Sequence, residues 1–567
     1  MLRIVNLSVP LDYTDASLRQ LLLRRLGLSA DQLISVSLYR RSVDARDRSD
    51  VHFVLSLDLE VKNESALLKK HRQLLPVREE ITPPLPRASF VHPPVVVGAG
   101  PAGLFCALTL ARAGANPVLL ERGKPVEERT RDVALMTAEG LLDEESNVQF
   151  GEGGAGAFSD GKLTCGVKSP YLRGVLETFV RHGAPEEILT DPKPHIGTDR
   201  LKPVVASMRK EILSLGGAVL FETRFESPVL RNGQICGAVV SHHGEKREIP
   251  TEALLLCIGH SARDTMRNLF DAGIPMEQKP FAMGVRIEHP REMIDRSQYG
   301  SFAGHPRLGP ASYKLTCHTE DGRGVYTFCM CPGGHVIAAA SQPEGIVVNG
   351  MSFHARNAVN SNSALLVGVR PADFGDDHPL SGFRLQRRIE ETAYRAANSV
   401  TGPASAARIR PGQGSAAGDP DVRVQGAPGE TAAAGGKDFL APAQRVEDFL
   451  RDRASACFGD VRPSYRPGVV PADLRAVLPE FIIRNLKYAL PALDRQLRGF
   501  AFPDAVLTAP ETRSSSPVRI PRDETGQIPE IRGLYPVGEG AGYAGGIVSA
   551  ALDGIAAARN ALKKTAP

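Results

Sequence analysis

The stretch that decides the fold is PPVVVGAGPAGLFCALTLARAGANPVLLERG, residues 93–123. Val95 to Val97 form a short apolar run, which predicts a buried parallel strand. The run leads into a GxGxxG turn (residues 98–103), an apolar helix, and a second strand (117–120) that ends at Glu121. This order of strand, glycine turn, helix, strand and acid is typical of a fold that binds a dinucleotide.

Each glycine of the turn has a physical role. Gly98 permits the tight turn, Gly100 lets the backbone approach a pyrophosphate, and Gly103 lets the helix pack closely on the strand. The helix N-terminus offers free N–H groups and a partial positive charge to the phosphates. Glu121 follows Gly103 by 18 residues, a spacing at which an acid can accept hydrogen bonds from a ribose.

The composition is that of an ordinary globular protein and excludes several classes. The chain has 567 residues, of which 42% are hydrophobic and 23% charged. A net charge of +4 is too small to indicate a protein built mainly to hold nucleic acid or a membrane surface. Eight cysteines favour a reducing compartment over a disulfide scaffold. Because the N-terminus shows no signal-peptide pattern, we predict a cytoplasmic protein.

Residues 1 to about 85 predict a small, separate α+β domain of ferredoxin-like type. The patterns predict a strand, a capped helix, two strands and a helix: Leu2 to Val9, Ala16 to Leu26 with an Asp15 cap, Ile34 to Tyr39, Val51 to Leu59 and Glu64 to His71. We interpret the many arginines of this region as a solvated face. RNA binding is the alternative, but no aromatic RNP-like pattern accompanies them.

A later stretch, Thr401 to Gly436, differs in composition from the rest of the chain. Gly, Ala and Pro make up 21 of its 36 residues, and none is aromatic. Such a segment cannot bury enough apolar surface to offset the entropy lost on ordering. We predict a disordered insertion at the surface of a larger domain.

Three further segments favour a flavin over a nicotinamide. QFGEGGAGAFSDGKL (149–163) is a glycine-rich loop that can wrap a cofactor with amides and hydroxyls, and ALLLCIG (253–259) is a strand that ends in glycine. GLYPVGEGAGYAGGIVSAALDGI (533–555) combines a strand, an acid that can bind ribityl hydroxyls, and a helix whose N-terminus can face the electron-rich end of a flavin ring. A cofactor domain whose last part returns at the C-terminus fits a flavoprotein with an inserted substrate domain.

These segments resemble the FAD-binding oxidoreductases of the glutathione-reductase/hydroxylase class. More narrowly, nearly the whole chain resembles a family of predicted FAD-dependent dehydrogenases with an extra N-terminal α+β domain. The narrower resemblance rests on these motifs: FGEGGAGAFSDGKL (150–163), CIGHSARDT (257–265), KPFAMGVRIEHP (279–290), RGVYTFCMCPGG (323–334), NGMSFHARNAVNSNSALLV (349–367) and the C-terminal GEGAGYAGGIVSAALDGI. It implies FAD contacts at these residues: Gly98, Gly100, Pro101, Ala102, Gly103, Glu121, Arg122, Ser159, Asp160, Gly161, Lys162, Gly259, Gly538, Glu539, Gly540 and Gly546.

We therefore predict an α/β protein with a discontinuous, Rossmann-type FAD-binding domain, an inserted mixed α/β substrate domain and a small N-terminal α+β domain. The predicted units are listed in chain order: the N-terminal domain at 1–85, the first part of the FAD-binding domain at 92–265, the substrate domain at 266–530, and the C-terminal part of the FAD-binding domain at 531–567.

Cys329 and Cys331 are catalytic candidates because they form a Cys-x-Cys pair in the substrate domain. A redox dithiol that faces the flavin is one hypothesis, and two ordinary core thiols are the other. Disulfide reductases mostly use longer spacings, and a Cys-x-Cys disulfide closes a strained ring. Cys317, His318 and His335 lie nearby in sequence, but the spacing is atypical of a metal site and we predict no metal.

Lys162 is the third catalytic candidate, since it could polarise the flavin or a substrate oxygen. A plain contact to a phosphate or a carboxylate is the alternative. Arg286 and His289 are expected in the second domain, where Arg286 could hold an anionic substrate or form a structural ion pair. His260 and Arg263 are interpreted as capping or cofactor-packing residues.

The predicted function is a FAD-dependent dehydrogenase or reductase that passes two electrons between flavin N5 and a small organic substrate. Because the chain holds no second complete nucleotide fingerprint, NAD(P)H is expected at most as a transient reductant. One alternative is a monooxygenase or oxidase with the same fold. Another is a flavin-bound factor that contacts RNA or protein through its N-terminal domain. The expected partner is a small molecule rather than a membrane or a nucleic acid.

Overall fold

A computed structural model describes residues 1–77, 83–398 and 439–564. The predicted fold class is confirmed, because a parallel sheet flanked by helices stands beside a mixed sheet and a small N-terminal α+β unit. The insertion predicted at 401–436 lies outside the described residues. Within those residues, no helix is both long enough and apolar enough to cross a membrane.

The N-terminal unit is one antiparallel sheet of order β2-β3-β1-β4, the ferredoxin-like arrangement. Its elements are β1 (Leu2–Val9), α1 (Asp15–Leu26), β2 (Leu33–Asp44), β3 (His52–Val61), α2 (Glu64–Lys70) and β4 (Leu74–Pro76). The predicted Asp15 cap is wrong, because Thr14 keeps the extended backbone of a cap and Asp15 is already helical. Thr14 Oγ1 accepts a hydrogen bond from Ser17 N at 3.2 Å, and Ser17 Oγ accepts one from Thr14 N at 2.9 Å.

The centre of the protein is a five-stranded sheet of order β23-β11-β5-β6-β7 in which every pair is parallel. Its strands are β5 (Val95–Val97), β6 (Val118–Leu120), β7 (Ala218–Leu220), β11 (Leu254–Leu256) and β23 (Leu534–Pro536). The strand predicted at 95–97 is confirmed, and its three valines are buried, as in a strand covered on both faces. The last strand of the chain pairs with β11, so the sheet is completed only by the C-terminal segment.

Helices and one smaller antiparallel sheet surround this central sheet. The helices are α3 (Pro101–Arg112), α4 (Val126–Glu139), α5 (Leu172–Arg181), α6 (Thr198–Ser214), α7 (Arg263–Asp271) and α12 (Ile547–Lys564). The smaller sheet consists of β8 (Thr223–Arg231), β9 (Gln234–His242) and β10 (Glu245–Pro250). α3 is buried along most of its length because it packs between the sheet, α6 and α12.

The inserted region contains a seven-stranded sheet of order β14-β15-β18-β13-β21-β19-β20. Its strands are β13 (Phe281–Pro290), β14 (Thr316–His318), β15 (Gly324–Cys331), β18 (Asn360–Val369), β19 (Ala441–Arg445), β20 (Val469–Pro471) and β21 (Val506–Glu511). The remaining elements are β12 (Glu277–Gln278), α8 (Arg291–Tyr299), β16 (His335–Ala338), β17 (Val348–Met351), α9 (Ser381–Asn398), α10 (Val446–Leu450), α11 (Glu480–Asp494) and β22 (Val518–Arg519). The central strands β13, β18 and β21 are buried nearly throughout.

Candidate functional site

The turn between β5 and α3 is built so tightly that only glycine fits at positions 98 and 103. Gly98 has a left-handed backbone with a φ of +99°. A Cβ atom on Gly103 would lie 1.8 Å from the carbonyl oxygen of Gly98. The first bond within α3 runs from Leu104 N to Gly100 O at 2.9 Å. The N–H groups that precede it are therefore available to a ligand at this helix end.

The glycine loop at 151–156 lies directly over this turn. Gly153 N donates to Ala99 O at 2.8 Å, and a Cβ on Gly154 would lie 3.0 Å from the Cα of Gly100. A Cβ on Gly156 would lie within 3.6 Å of both Pro101 and Ile547, the first residues of α3 and α12. The N-termini of two helices therefore meet at one loop, an arrangement that favours a ligand with negative charge.

The C-terminal glycine segment closes another side of the same region. A Cβ on Gly540 would lie 2.3 Å from Gly259 O, and one on Gly538 would lie 3.2 Å from the Cβ of Ala102. On α12, a Cβ on Gly554 would lie 2.1 Å from Ala102 O. Segments far apart in sequence are thus held backbone to backbone, as expected for a cradle around an extended ligand.

Glu121 ties these segments together at the end of β6. Its carboxylate is buried and accepts hydrogen bonds from Ala99 N at 2.8 Å, Gly123 N at 3.0 Å and Gly151 N at 2.9 Å. The acid therefore lies beside the glycine turn, and its contact with a ribose stays a prediction. In this structure it joins the turn to the loop above it.

Arg129 of α4 holds the loop at 147–154 from inside, a role that the sequence did not predict. Its side chain has no exposed surface, and burial lowers its pKa to about 10, so the guanidinium stays charged at neutral pH. It donates to five backbone carbonyls, at distances of 2.6–3.2 Å: those of Asn147, Val148, Gly151, Glu152 and Gly154. One buried cation thus fixes the loop that covers the glycine turn.

Lys162 lies where this loop region meets the seven-stranded sheet. The polar atom of its side chain is buried and makes no hydrogen bond within the described residues. The nearest carboxylate oxygen belongs to Asp160, 3.9 Å from Lys162 Nζ. Ser159 Oγ shapes the loop here, because it donates to Gly156 O at 2.9 Å and accepts from Gly161 N at 3.2 Å. A buried ammonium without a hydrogen bond is a candidate partner for an incoming anionic oxygen.

Asp160 is fully engaged with the inserted region. Arg356 donates to both of its carboxylate oxygens, at 3.1 and 2.6 Å, and Ser352 Oγ donates to one of them. Burial acts against the charged form, but the cations of Lys162 and Arg356 outweigh it and lower the pKa of Asp160. Because Asp160 is already bound by these groups, it neutralises Lys162 only partly.

Cys329 and Cys331 lie at the end of β15, close to the same lysine. The Cys331 side chain is buried, whereas Cys329 is partly exposed. Arg286 donates to Cys329 O at 2.6 Å and lies 3.5 Å from Cys331 Sγ. Its other nitrogens bind Asn362 Oδ1 at 2.8 Å and the Glu511 carboxylate at 2.9 and 3.0 Å. Of the two hypotheses for Arg286, the structure thus shows the ion pair.

Comparison with known protein families gives three matches along the chain. A FAD-binding domain model matches residues 94–144, and a FAD-dependent protein C-terminal domain matches residues 280–409 and 425–514. A domain of unknown function matches residues 1–60. The chain belongs to a FAD-dependent protein family. Its cofactor is FAD, as the resemblance implied.

One relative of this flavoprotein is an uncharacterized protein of Clostridium beijerinckii, 41% identical over 568 residues and 99% of both chains. Among solved structures, E. coli quinol fumarate reductase FrdA is 12% identical, with 84% of this chain and 70% of that chain covered and a TM-score of 0.35. The OxyS anhydrotetracycline hydroxylase of Streptomyces rimosus is 18% identical, with 50% and 47% covered and a TM-score of 0.23. The glycerol-3-phosphate dehydrogenase of Bacillus halodurans is 14% identical, with 55% and 54% covered and a TM-score of 0.25.

At Gly98, Gly103, Gly540 and Gly554 the cradle leaves room for backbone but not for side chains, as the close approach of strand, turn and helix in a dinucleotide-binding fold requires. The helix end at Gly100–Gly103 suits the diphosphate, and Glu121 lies beside it. Two other predicted contacts are engaged within the protein. Arg122 pairs with Glu145 at 2.6 Å and with Asp264 at 2.8 Å, and Glu539 lies 3.3 Å from His260. Contact of Arg122 and Glu539 with FAD stays a prediction.

Several other residues have structural partners. Arg263 forms a buried ion pair with Glu390 at 2.8 Å, and His289 Nε2 lies 2.7 Å from Phe500 O. Burial lowers the pKa of His289 to about 4, so this imidazole stays neutral. Across residues 1–77, 83–398 and 439–564, no group of three or more His, Cys, Asp and Glu side chains is placed to hold a metal ion.

Proposed function

We propose that this flavoprotein is a dehydrogenase or reductase that passes two electrons between flavin N5 and a small organic substrate. We place the substrate at the junction of the 159–162 loop and the seven-stranded sheet. The observation that carries this placement is Lys162, whose buried ammonium makes no hydrogen bond within the described residues. A buried ammonium without a hydrogen bond is stabilised when a substrate oxygen, of either a carboxylate or a carbonyl, accepts one from it.

The residues around Lys162 support this role by holding it in place. Asp160 lies 3.9 Å from the ammonium and is itself fixed by Arg356 and Ser352. The Asp160 carboxylate is too far from the ammonium to be its hydrogen-bond partner. The donors of Lys162 can therefore bind and orient an anionic oxygen.

Anaerobic reduction of the purified holoprotein tests the redox proposal. Dithionite is expected to bleach the flavin band with two electrons per FAD, and air is expected to restore it. Bleaching by NADH or NADPH would identify the nicotinamide as the direct reductant and the substrate as the oxidant. Absence of bleaching by both would mean that electrons enter from the substrate. A flavin that dithionite does not reduce reversibly would contradict the proposal.

Substitution of Lys162→Met tests the substrate site. Titration of the holoprotein with benzoate, a small planar carboxylate, is followed through the visible spectrum of the bound FAD. Because the variant removes a charge-assisted hydrogen bond worth about 1.5–3 kcal/mol, we expect about 10- to 100-fold weaker binding. Lys162→Arg is expected to restore part of it.

The matched control is Lys168→Met, six residues further along the same segment and exposed to solvent. This variant should bind benzoate as the wild type does. Equal affinity in Lys162→Met and wild type would remove Lys162 from the substrate site. If the reduction potential of the flavin shifts while benzoate affinity stays constant, then Lys162 acts on the flavin instead.

A further inference from the structure

The two cysteines of β15 lie in an irregular part of an otherwise regular strand. Pairing with β18 runs from Val325↔Val367 to Phe328↔Ala364 and then continues at Cys331↔Asn362. Between these two pairs β15 runs three residues and β18 only two. The extra residue in β15 makes this a β-bulge. Bulges of this kind redirect side chains and are frequent beside active sites.

Cys329, inside the bulge, has a backbone that is unusual for a residue with a side chain. Its φ is +43°, in the left-handed region. Such a conformation costs free energy and persists only where surrounding groups hold it. The hydrogen bond of 2.6 Å from Arg286 Nη2 to Cys329 O does so, and Arg286 is itself anchored by Glu511. The backbone of the bulge is therefore fixed by the side chain of Arg286.

The bulge turns the Cys331 side chain back toward residue 329. In a regular strand, alternate residues lie about 6.6 Å apart along the chain, too far for their thiols to meet. Here the Cys331 side chain folds back along the chain, and its thiol donates to Cys329 O at 3.3 Å. A thiol that already reaches residue 329 needs little movement to meet the sulfur of that residue.

The surroundings give the two thiols different roles. The hydrogen bond from Cys331, together with the cations of Lys162 and Arg286, lowers the pKa of Cys329. The same hydrogen bond and burial raise the pKa of Cys331. Cys329 is also the partly exposed member of the pair, and Cys331 is the buried one. A thiol of lowered pKa on the more exposed residue, beside a buried thiol of raised pKa, is the arrangement of an attacking and a resolving cysteine.

We propose that Cys329 and Cys331 form a two-electron thiol/disulfide couple that exchanges with low-molecular-weight disulfides. The Cys329 thiolate attacks one sulfur of the disulfide RSSR, which forms a Cys329–S–S–R bond and releases RS⁻. Cys331 then attacks Cys329 Sγ, which forms the Cys329–Cys331 bond and releases a second RS⁻, while the proton of Cys331 passes to solvent. The protein pair loses two electrons, and RSSR gains them. This exchange does not depend on the proposed flavin reaction.

The test uses the reduced, desalted holoprotein and 4,4′-dithiodipyridine under argon at pH 6. Trypsin releases residues 324–356 as one peptide, in which Cys329 and Cys331 are the only cysteines. We expect this peptide to become lighter by two hydrogens without keeping a pyridine group. The exposed Cys457 is the internal reference. We expect Cys329 to react at least ten times faster than this reference because the cations of Lys162 and Arg286 favour its thiolate.

Two variants separate the roles of the cysteines. Cys331→Ser is expected to keep a stable pyridine adduct on Cys329, and Cys329→Ser is expected to lose the fast reaction. Intact wild-type protein that keeps the adduct on Cys329 would overturn the proposal, because the second thiol would not resolve it. So would an unmodified 324–356 peptide in protein whose Cys457 has reacted. Lys162→Met, compared with Lys168→Met, should slow the reaction of Cys329 several-fold.

Discussion

Substitution of Gly103→Ala is expected to give a protein without bound FAD. The new methyl group would lie 1.8 Å from Gly98 O and 3.4 Å from the Cβ of Cys257. The first distance is far inside van der Waals contact with backbone, so α3 must move away from β5. That movement opens the turn whose N–H groups are expected to bind the diphosphate. The measurement is the ratio of flavin absorbance to protein in the purified variant, which should fall at least tenfold.

The control for this variant is Gly174→Ala in α5. A Cβ on Gly174 would meet no atom within 4 Å, and alanine in a helix interior reduces the freedom of the unfolded chain. This variant should keep its FAD and unfold at an equal or slightly higher temperature. Full FAD occupancy in Gly103→Ala would mean that the helix can shift without opening the turn.

The parts of the fold that were predicted correctly are those in which short-range patterns decide the structure. The apolar run 95–97 can only be a buried strand, and the glycines after it permit only a tight turn into a helix. The C-terminal strand was predicted for the same reason at the start of the segment 533–555 and is observed at Leu534–Pro536. The predicted N-cap of α1 was wrong by one residue. Thr14 and Asp15 are both good capping residues, and only the backbone geometry shows which of them is the cap.

The candidate site was less predictable because its contacts join distant segments. Lys162 and the cysteines at 329 and 331 were each singled out, but no spacing rule places them beside each other. Arg356 and Ser352, which bind Asp160, lie within the motif 349–367. The family resemblance therefore pointed to their segment but not to their roles. Glu511 had no local signal, since a lone acid in an apolar strand indicates nothing about which cation it meets.

Arg129 is the clearest case of a contact that could not be predicted from the sequence. In sequence it is one of several charged residues of an amphipathic helix, and such residues are usually solvated. In the structure its side chain has no exposed surface, because the loop at 147–154 folds around it and supplies carbonyl oxygens. Burial of an arginine by backbone acceptors depends on the path of a later loop, and no periodicity within the helix encodes that path.

Substitution of Arg129→Met is expected to release FAD at a much lower temperature than in the wild-type holoprotein. Methionine fills similar space but donates no hydrogen bond, so the carbonyls of Asn147, Val148 and Glu152 lose their donor in a buried loop. The carbonyls of Gly151 and Gly154 keep backbone donors. Each unsatisfied buried group costs about 1–3 kcal/mol, so a loss of more than about 3 kcal/mol is expected. The corresponding shift is more than about 6 °C in the temperature at which flavin fluorescence appears. Arg131→Met, an exposed position on the same helix, is the control and should shift it by less than about 2 °C. Equal shifts in the two variants would show that the loop over the glycine turn keeps its place without the buried guanidinium.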